Sequence, residues 1–202
     1  FAALKAKDQG LDVILVDKAS VARSGGTAAA GAGYMVFNPD WGHDLATTMN
    51  AVARNGEYLN DRDWTEIVLN DSYGTYQDLI SWGVQFPAGD GEIGDQYQPL
   101  DMKDSSGMRS MFGQLFIRRG NFRVLAKQVA ARGVKMVSRV MITDLLTGDQ
   151  GVVGAIGFSV PDDRVYVFRA KATVVSTGAS SFKPVGSGIS CLTGDGIAMA
   201  YR

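Results

Sequence analysis

Asp17 and Lys18 close the apolar run Val13-Ile-Leu-Val16, at a point where a parallel strand can hold a carboxylate out to a nucleotide. An Asp at such a strand end can accept two hydrogen bonds from vicinal ribose hydroxyls, and its charge disfavours a 2′-phosphate. It can equally cap the turn that follows, so both roles stand open for Asp17. The next segment, Arg23-Ser-Gly-Gly-Thr27-Ala-Ala-Ala-Gly31-Ala-Gly33, is built almost wholly of small residues. Backbone of that kind can pass close to a flat ring and a pyrophosphate, and its unblocked N–H groups can form an anion-holding concavity. Ser24 and Thr27 add hydroxyl donors, while Gly25, Gly26, Ala29, Gly31 and Gly33 leave the backbone open to close approach. The alternative is a flexible linker, but linkers do not usually sit inside a βαβ core.

Two further clusters lie towards the other end. Thr177 and Gly178 close the apolar stretch Ala172-Thr-Val-Val-Ser-Thr-Gly178, where a glycine lets the chain turn sharply beside a bound nucleotide. A plain strand-end turn would look the same. Thr193-Gly-Asp195-Gly196 opens the segment Ile197-Ala-Met-Ala-Tyr201. Asp195 there can hold sugar hydroxyls or simply cap a helix. His43, the one histidine, reads as structural or solvated, and Arg118-Arg119 reads as a solvated pair. Trp41, Trp64 and Trp82 read as packing residues.

The elements that must position these clusters follow from periodicity and punctuation. Residues 1 to 9 read as an amphipathic helix, and residues 13 to 16 as a strand buried on both faces, as in a parallel sheet. Helical spacing recurs from His43 to about Arg54. It recurs from Asp61 to about Trp82, where Trp64, Ile67, Val68, Leu79 and Ile80 mark the apolar face and Gly83 the stop. Residues 87 to 111 read as a long irregular excursion, a candidate substrate-facing or partner-facing loop. Asn121 to Arg132 reads as a helix, with Asn121 as N-cap and Gly133 as its stop, and Val134 to Val137 as a short strand. Met141 to Leu146, Val152 to Val160 and Val165 to Phe168 are separated by tight turn chemistry and predict a three-stranded antiparallel meander. Ala172 to Thr177 predicts a further apolar strand. The expected class is α/β: a Rossmann-type parallel sheet with helices and an inserted meander, an insertion that a plain nicotinamide dehydrogenase has no reason to contain. Strand 13–16 has a helix before it, so a first strand and its G-x-G-x-x-G are expected upstream of Phe1. The chain is also expected to stop inside a helix at Arg202, giving one partial nucleotide-binding domain over residues 1–202.

Composition narrows the function classes. At 202 residues and 46% hydrophobic the chain can bury a core. A net charge of −1 with scattered lysine and arginine argues against a nucleic-acid surface. The single Cys191 leaves no disulfide framework and no multi-cysteine metal site, and no metal is expected. No apolar run reaches the ~20 residues that span a bilayer, so no direct membrane insertion is expected and the location reads as cytoplasmic. The 25 glycines cluster around residues 25–33, 89–94, 148–157 and 178–196, which points to particular loops and not to low complexity.

In order, these motifs resemble the flavoprotein subunits of the succinate dehydrogenase and fumarate reductase family across nearly the whole chain. Within that family, Leu15-Val-Asp-Lys-Ala19, Arg23-Ser-Gly25, Gly154-Ala-Ile-Gly-Phe-Ser-Val160 and Tyr166-Val-Phe-Arg-Ala-Lys171 look most like the alpha subunit of adenylylsulfate reductase. The resemblance implies FAD, with its adenosine ribose near Asp17 and Lys18 and its pyrophosphate and flavin against Arg23 and Ser24 to Gly33. It implies a backbone contact to adenine near Val140, and places Thr177, Gly178 and Asp195 close to the cofactor. Succinate dehydrogenases attach their flavin to a histidine just after an Arg-Ser pair; Gly25 and Gly26 stand there in this chain, so non-covalent FAD is expected. The resemblance further implies redox chemistry on a small acidic substrate, with electrons passing to an iron–sulfur or other electron-transfer subunit. The family's substrate-binding arginines and histidines fall beyond Thr193-Gly-Asp-Gly196, so no residue here is assigned a catalytic role, and the chain by itself is expected to be inactive. A flavin-dependent dehydrogenase of a larger substrate, such as a ketosteroid or an amino acid, and a nucleotide-binding fragment without turnover are the alternatives.

Overall fold

The computed structural model describes residues 1–26, 28, 32–84, 114–117, 123–159, 161–180 and 192–202. The elements run α1 (Ala2–Asp8), β1 (Ile14–Asp17), β2 (Ala32–Met35), a 3-10 turn (Pro39–Trp41), α2 (Leu45–Asn55), α3 (Arg62–Ser81) and β3 (Gln114–Ile117). They continue with α4 (Arg123–Ala131), β4 (Lys135–Ser138), β5 (Met141–Gly148), β6 (Gly151–Ser159), β7 (Arg164–Arg169) and α5 (Asp195–Tyr201). The chain divides into two compact units, Phe1–Ala30 with Phe122–Arg202, and Gly31–Asn121.

In the first unit β1 and β4 pair in parallel, from Ile14 opposite Lys135 to Asp17 opposite Ser138. Short parallel strands need a covered crossover. The helix leading into β4 is α4; Gly133 at φ 71° stops it, and Val134, between Gly133 and the strand, is buried. Arg132 donates to Asp8 at 2.8 Å and ties α4 to α1, where Leu4 is fully buried. The meander β5–β6–β7 is antiparallel throughout and forms a separate three-stranded sheet. Its middle strand carries two glycines where no side chain fits. A Cβ on Gly154 would collide with the Phe168 carbonyl oxygen, and one on Gly157 with the Met141 carbonyl oxygen. The register also shifts beside these strands, between Ile142 and Asp144 and between Leu146 and Thr147, as bulges allow. Helix α5 packs on β5, where the Arg202 guanidinium donates to the Thr143 carbonyl at 2.6 Å and pairs with Asp144 at 3.2 Å.

The second unit is built from α2, α3 and the antiparallel pair β2–β3. Asp44 and Asp61 cap the two helices, accepting from the Thr47 N–H at 2.8 Å and the Trp64 N–H at 2.9 Å. Phe37, Met49 and Leu69 form one core cluster and Val36 and Tyr76 another, with Trp41 and Tyr73 packed against the second. Burying a side chain such as Leu69 is worth about 1.5–3 kcal/mol. Ser72 sits inside this apolar layer only because its hydroxyl is engaged at once, accepting from the Phe37 N–H at 2.7 Å and donating to the Leu69 carbonyl at 2.5 Å.

The α/β class, the parallel pair and the three-stranded meander stand as expected. Three local expectations do not, and the first is the burial of strand 13–16 on both faces: Ile14 is exposed and no residue of β1 is fully buried. Of the helical face named by Trp64, Ile67, Val68, Leu79 and Ile80 only Leu79 turns inward; the other four are exposed, with Trp64 at 67%, and the buried face of α3 is Leu69, Ser72, Tyr76 and Leu79. Both stripes have helical spacing, and only packing decides which turns inward. Ala172 to Thr177 joins no ladder among the described residues, and Val174 stays 72% exposed. A strand needs a neighbour to take its backbone groups, and none of the described strands stands beside it. Strand β3 was not foreseen, because four apolar-rich residues carry too little periodicity to be told from loop. The expected excursion at 87–111, Asn121, Arg118-Arg119 and Cys191 lie outside the described residues. Among the described residues no helix is long and apolar enough to cross a membrane, and no cluster of potential metal ligands occurs.

Candidate functional site

The carboxyl end of the β1–β4 pair gathers chemistry from four separate stretches of chain. Asp17, the last residue of β1, points into the turn that follows: Oδ1 accepts the Ala19 N–H at 2.7 Å, and the Ser24 hydroxyl lies 2.9 Å from Oδ1 and 3.0 Å from Oδ2. This turn is stitched to the end of β4. The Val21 N–H donates to Ser138 Oγ at 3.3 Å, and the Arg139 N–H to the Ala19 carbonyl at 2.9 Å. Val140 is buried and gives its own N–H to the Asp17 carbonyl at 3.2 Å. Ala22 and Arg139 both take left-handed backbone, at φ 64° and 63°, to make these reversals.

Lys18 points elsewhere. Its ammonium reaches Thr193 Oγ1 and Asp195 Oδ2, each at 2.5 Å, across more than 170 residues of sequence. Thr193 Oγ1 also lies 2.9 and 2.8 Å from the two Asp195 carboxylate oxygens. Burial alone would raise the Asp195 carboxyl. Hydrogen bonds from Lys18 and Thr193, with the Lys18 charge, outweigh it and hold the group below the ordinary carboxylate value. The start of α5 is thereby fastened to the end of β1.

Residues 175–180 complete the cluster. Ser180 bridges Thr193, and Gly178 turns at φ 79° beside Leu192. Gly194 takes φ 71°, and a Cβ there would stand 2.9 Å from the Ser180 Cβ. A Cβ on Gly196 would collide with Thr177 Oγ1 and stand 2.8 Å from Val175 Cγ1. Glycine at 194 and 196 is therefore what lets the Ser180, Thr177 and Val175 side chains pack directly on the backbone at the start of α5.

Of the residues expected to bind a nucleotide, the structure brings Asp17, Lys18, Ser24, Val140, Thr177, Gly178 and Asp195 into this one end of the first unit. Arg23 is exposed in the turn, Gly25 reverses at φ 86° and Gly26 begins a helical turn. Gly33 lies in β2 of the second unit, opposite Phe116. Thr27, Ala29 and Gly31 lie outside the described residues. Ser138 and Ser180 were missed. Ser138 ends its strand in a hydroxyl just as β1 ends in a carboxylate, but only the Asp17–Ser138 register shows that the two ends meet. His43 is structural: Nδ1 accepts the Asn38 N–H at 3.1 Å, and the ring lies against Phe37 and Trp41.

A family model described as FAD binding domain matches residues 1–202, the whole chain. The chain belongs to this FAD-binding family. Over its full length it is 27% identical to a polypeptide of the CoM/CoB fumarate reductase of Methanothermobacter marburgensis, covering 37% of that protein. The open conformation of a flavocytochrome c3 fumarate reductase superposes with a TM-score of 0.75 at 25% identity, over 99% of this chain and 37% of that one. Adenylylsulfate reductase from Archaeoglobus fulgidus superposes with a TM-score of 0.67 at 24% identity, over 98% and 32% of the two chains, a likeness of fold. The chain thus spans about a third of the length of these relatives.

FAD is the cofactor of this domain family, and the residues present suit it. A carboxylate stands at the carboxyl end of a parallel strand, where such folds take ribose. The Ser24 hydroxyl stands beside it, and Lys18 ties Thr193 and Asp195 to the same strand end. The side chains at 175, 177 and 180 leave no room for a Cβ at 196 and little at 194, so residues 175–180 and the start of α5 are held tightly together beside that strand end.

Proposed function

We propose that this chain forms the adenosine-side wall of a non-covalent FAD site in a flavoprotein oxidoreductase that acts on a small acidic substrate. The observation that carries the reading is the Asp17 carboxylate at the carboxyl end of the parallel pair, with the next residue, Lys18, tying the Thr193–Asp195 segment to that strand end. When bound, FAD supplies hydride and electron chemistry that no side chain offers. The protein's own part is to bind and orient it. In this reading Asp17 accepts from the adenosine ribose, and the Val140 carbonyl, its N–H being already used, meets the adenine edge. Thr177 and Gly178 form part of the wall, packed on the start of α5 at Gly194 and Gly196, and Lys18 holds Asp195 in place.

Non-covalent attachment is supported by the residues after Arg23 and Ser24, which are Gly25 and Gly26, and by the engagement of His43 with Asn38. The likeness to the CoM/CoB fumarate reductase supports a dicarboxylate or similar acid as substrate, with the substrate-binding residues supplied outside this chain. An iron–sulfur or other electron-transfer partner and a cytoplasmic location belong to the same proposal; co-purification and cell fractionation test them. The central experiment is a visible spectrum of the purified full-length protein, before and after acid precipitation. A flavin spectrum whose chromophore stays in the acid supernatant and analyses as FAD is expected. No flavin after FAD addition overturns the cofactor assignment for this protein, and flavin retained in the pellet overturns the non-covalent one. Oxidation of a reduced dye by fumarate then tests the substrate class.

A further inference from the structure

Asp17 is gripped from within its own turn. The Ala19 N–H takes one position on Oδ1, and the Ser24 hydroxyl sits between the two carboxylate oxygens at 2.9 and 3.0 Å. The same hydroxyl is 2.7 Å from the Ser20 carbonyl and accepts the Ser20 N–H at 3.4 Å. One hydroxyl proton faces these acceptors. The carboxylate is the strongest of them, because a hydrogen bond to an ionised partner is roughly twice as strong as a neutral one. Ser24 does not depend on a ligand for its place. Ala22 at φ 64° turns the chain back towards Asp17, and Ser138 and Arg139 anchor the turn from the neighbouring strand end. An ionised carboxylate has about four lone-pair sites. Two bonds from the turn leave capacity on the remaining side for a vicinal diol.

We infer that Ser24 is a positioning residue that fixes the Asp17 carboxylate so that its open lone pairs face the two hydroxyls of a ribose. Ser24 acts on the cofactor through Asp17 and makes no contact of its own with the flavin or pyrophosphate. This assignment rests on the reading of Asp17 as the ribose acceptor. It differs from the role implied by resemblance, in which Ser24 lies against the pyrophosphate and flavin. Asp17 without Ser24 would keep its charge but swing among rotamers, and part of the binding free energy would go into ordering it.

The test is FAD affinity, followed by flavin fluorescence quenching, in the full-length apoprotein and its variants. The ligands are FAD and its analogue carrying 2′-deoxyadenosine. Ser24→Ala is expected to weaken FAD by up to about tenfold, the cost of ordering one freed side chain on binding, and Ser24→Thr to bind close to wild type. Asp17→Asn is expected to weaken FAD at least as much, and the double variant no more than Asp17→Asn alone. Against the deoxy analogue, which lacks one of the two hydroxyls, the Ser24→Ala loss should shrink to a few-fold or less. Additive losses, or an undiminished Ser24→Ala loss with the analogue, overturn the inference by showing a direct or general effect of Ser24. No loss on Ser24→Ala beside a clear loss on Asp17→Asn overturns it alone, placing the hydroxyl proton on the Ser20 carbonyl. An Asp17→Asn protein that binds FAD like wild type removes the ribose reading as well. The analogue comparison needs only the wild type and the Ser24 variants, so it decides the matter should Asp17→Asn fail to fold.

Discussion

Replacing Gly196 by alanine should be costly in spite of the better helix propensity of alanine. Gly196 is buried at the second position of α5, and its Cβ would collide with Thr177 Oγ1 while standing 2.8 Å from Val175 Cγ1 and 3.2 Å from Thr177 Cβ. Both neighbours are β-branched and stiff at χ1, so neither can swing aside without leaving its rotamer. Overpacking of this kind costs about 1–3 kcal/mol. Alanine returns about 0.8–1.0 kcal/mol of helix propensity relative to glycine, less at the end of a seven-residue helix. The net expectation is a loss of about 1–2 kcal/mol. In urea denaturation of the full-length protein this appears as a lower midpoint with an unchanged slope, provided the transition is two-state. FAD should bind more weakly as well, since the displaced segment is the proposed wall of its site. Adding Thr177→Ala should recover part of the stability, because it removes the atom in collision. An alanine variant as stable as wild type would refute the close approach between residues 175–177 and α5. A loss that Thr177→Ala leaves untouched would refute the named cause.

Three other expectations concern the rest of the chain. The Asp195 carboxyl has a depressed folded-state pKa, so the Lys18–Asp195 tie contributes stability above the unfolded value of 3.8 and loses it as pH falls through the folded value; Asp195→Asn should flatten that acid limb in pH-dependent unfolding. His43 is also depressed, by burial, and its neutral Nδ1 accepts from Asn38. Its contribution is present above the unfolded value of 6.5 and is lost as pH falls through the folded value, so His43→Gln should reduce the fall in melting temperature below pH 6.5. Gly154→Ala combines φ 152° with a collision against the Phe168 carbonyl oxygen, and should destabilise the meander by about 3 kcal/mol, at the severe end of single substitutions; a melting temperature within a degree of wild type would sink that account.

Much of the architecture was legible because its signals are local. The helix start at Asp61, the stops at Gly83 and Gly133, and the turn residues between β5, β6 and β7 act within a few positions of where they stand. The acidic strand end at Asp17 and the Thr193-Gly-Asp195-Gly196 run could likewise be marked as candidate nucleotide-site residues from type and order. Packing choices could not. Helix α3 has two stripes of helical spacing, and the one with Trp64, Ile67 and Val68 reads as more apolar, yet Leu69, Ser72, Tyr76 and Leu79 face inward. Ser72 on that face is polar to any sequence rule, and is tolerated because Phe37 and Leu69 satisfy it.

The candidate site divides in the same way. By itself the sequence determined the α/β class and the family that implies FAD, and it marked candidate site residues, because residue type and spacing are properties of the chain alone. The tertiary structure decided which of them meet. It turned Lys18 away from Asp17 and onto Thr193 and Asp195, gave the Asp17 carboxylate to Ser24 and Ala19, and set Ser138 beside that turn through the parallel register of β1 and β4. Contacts across more than 100 residues depend on how the strands and helices pack, and no local pattern encodes that distance.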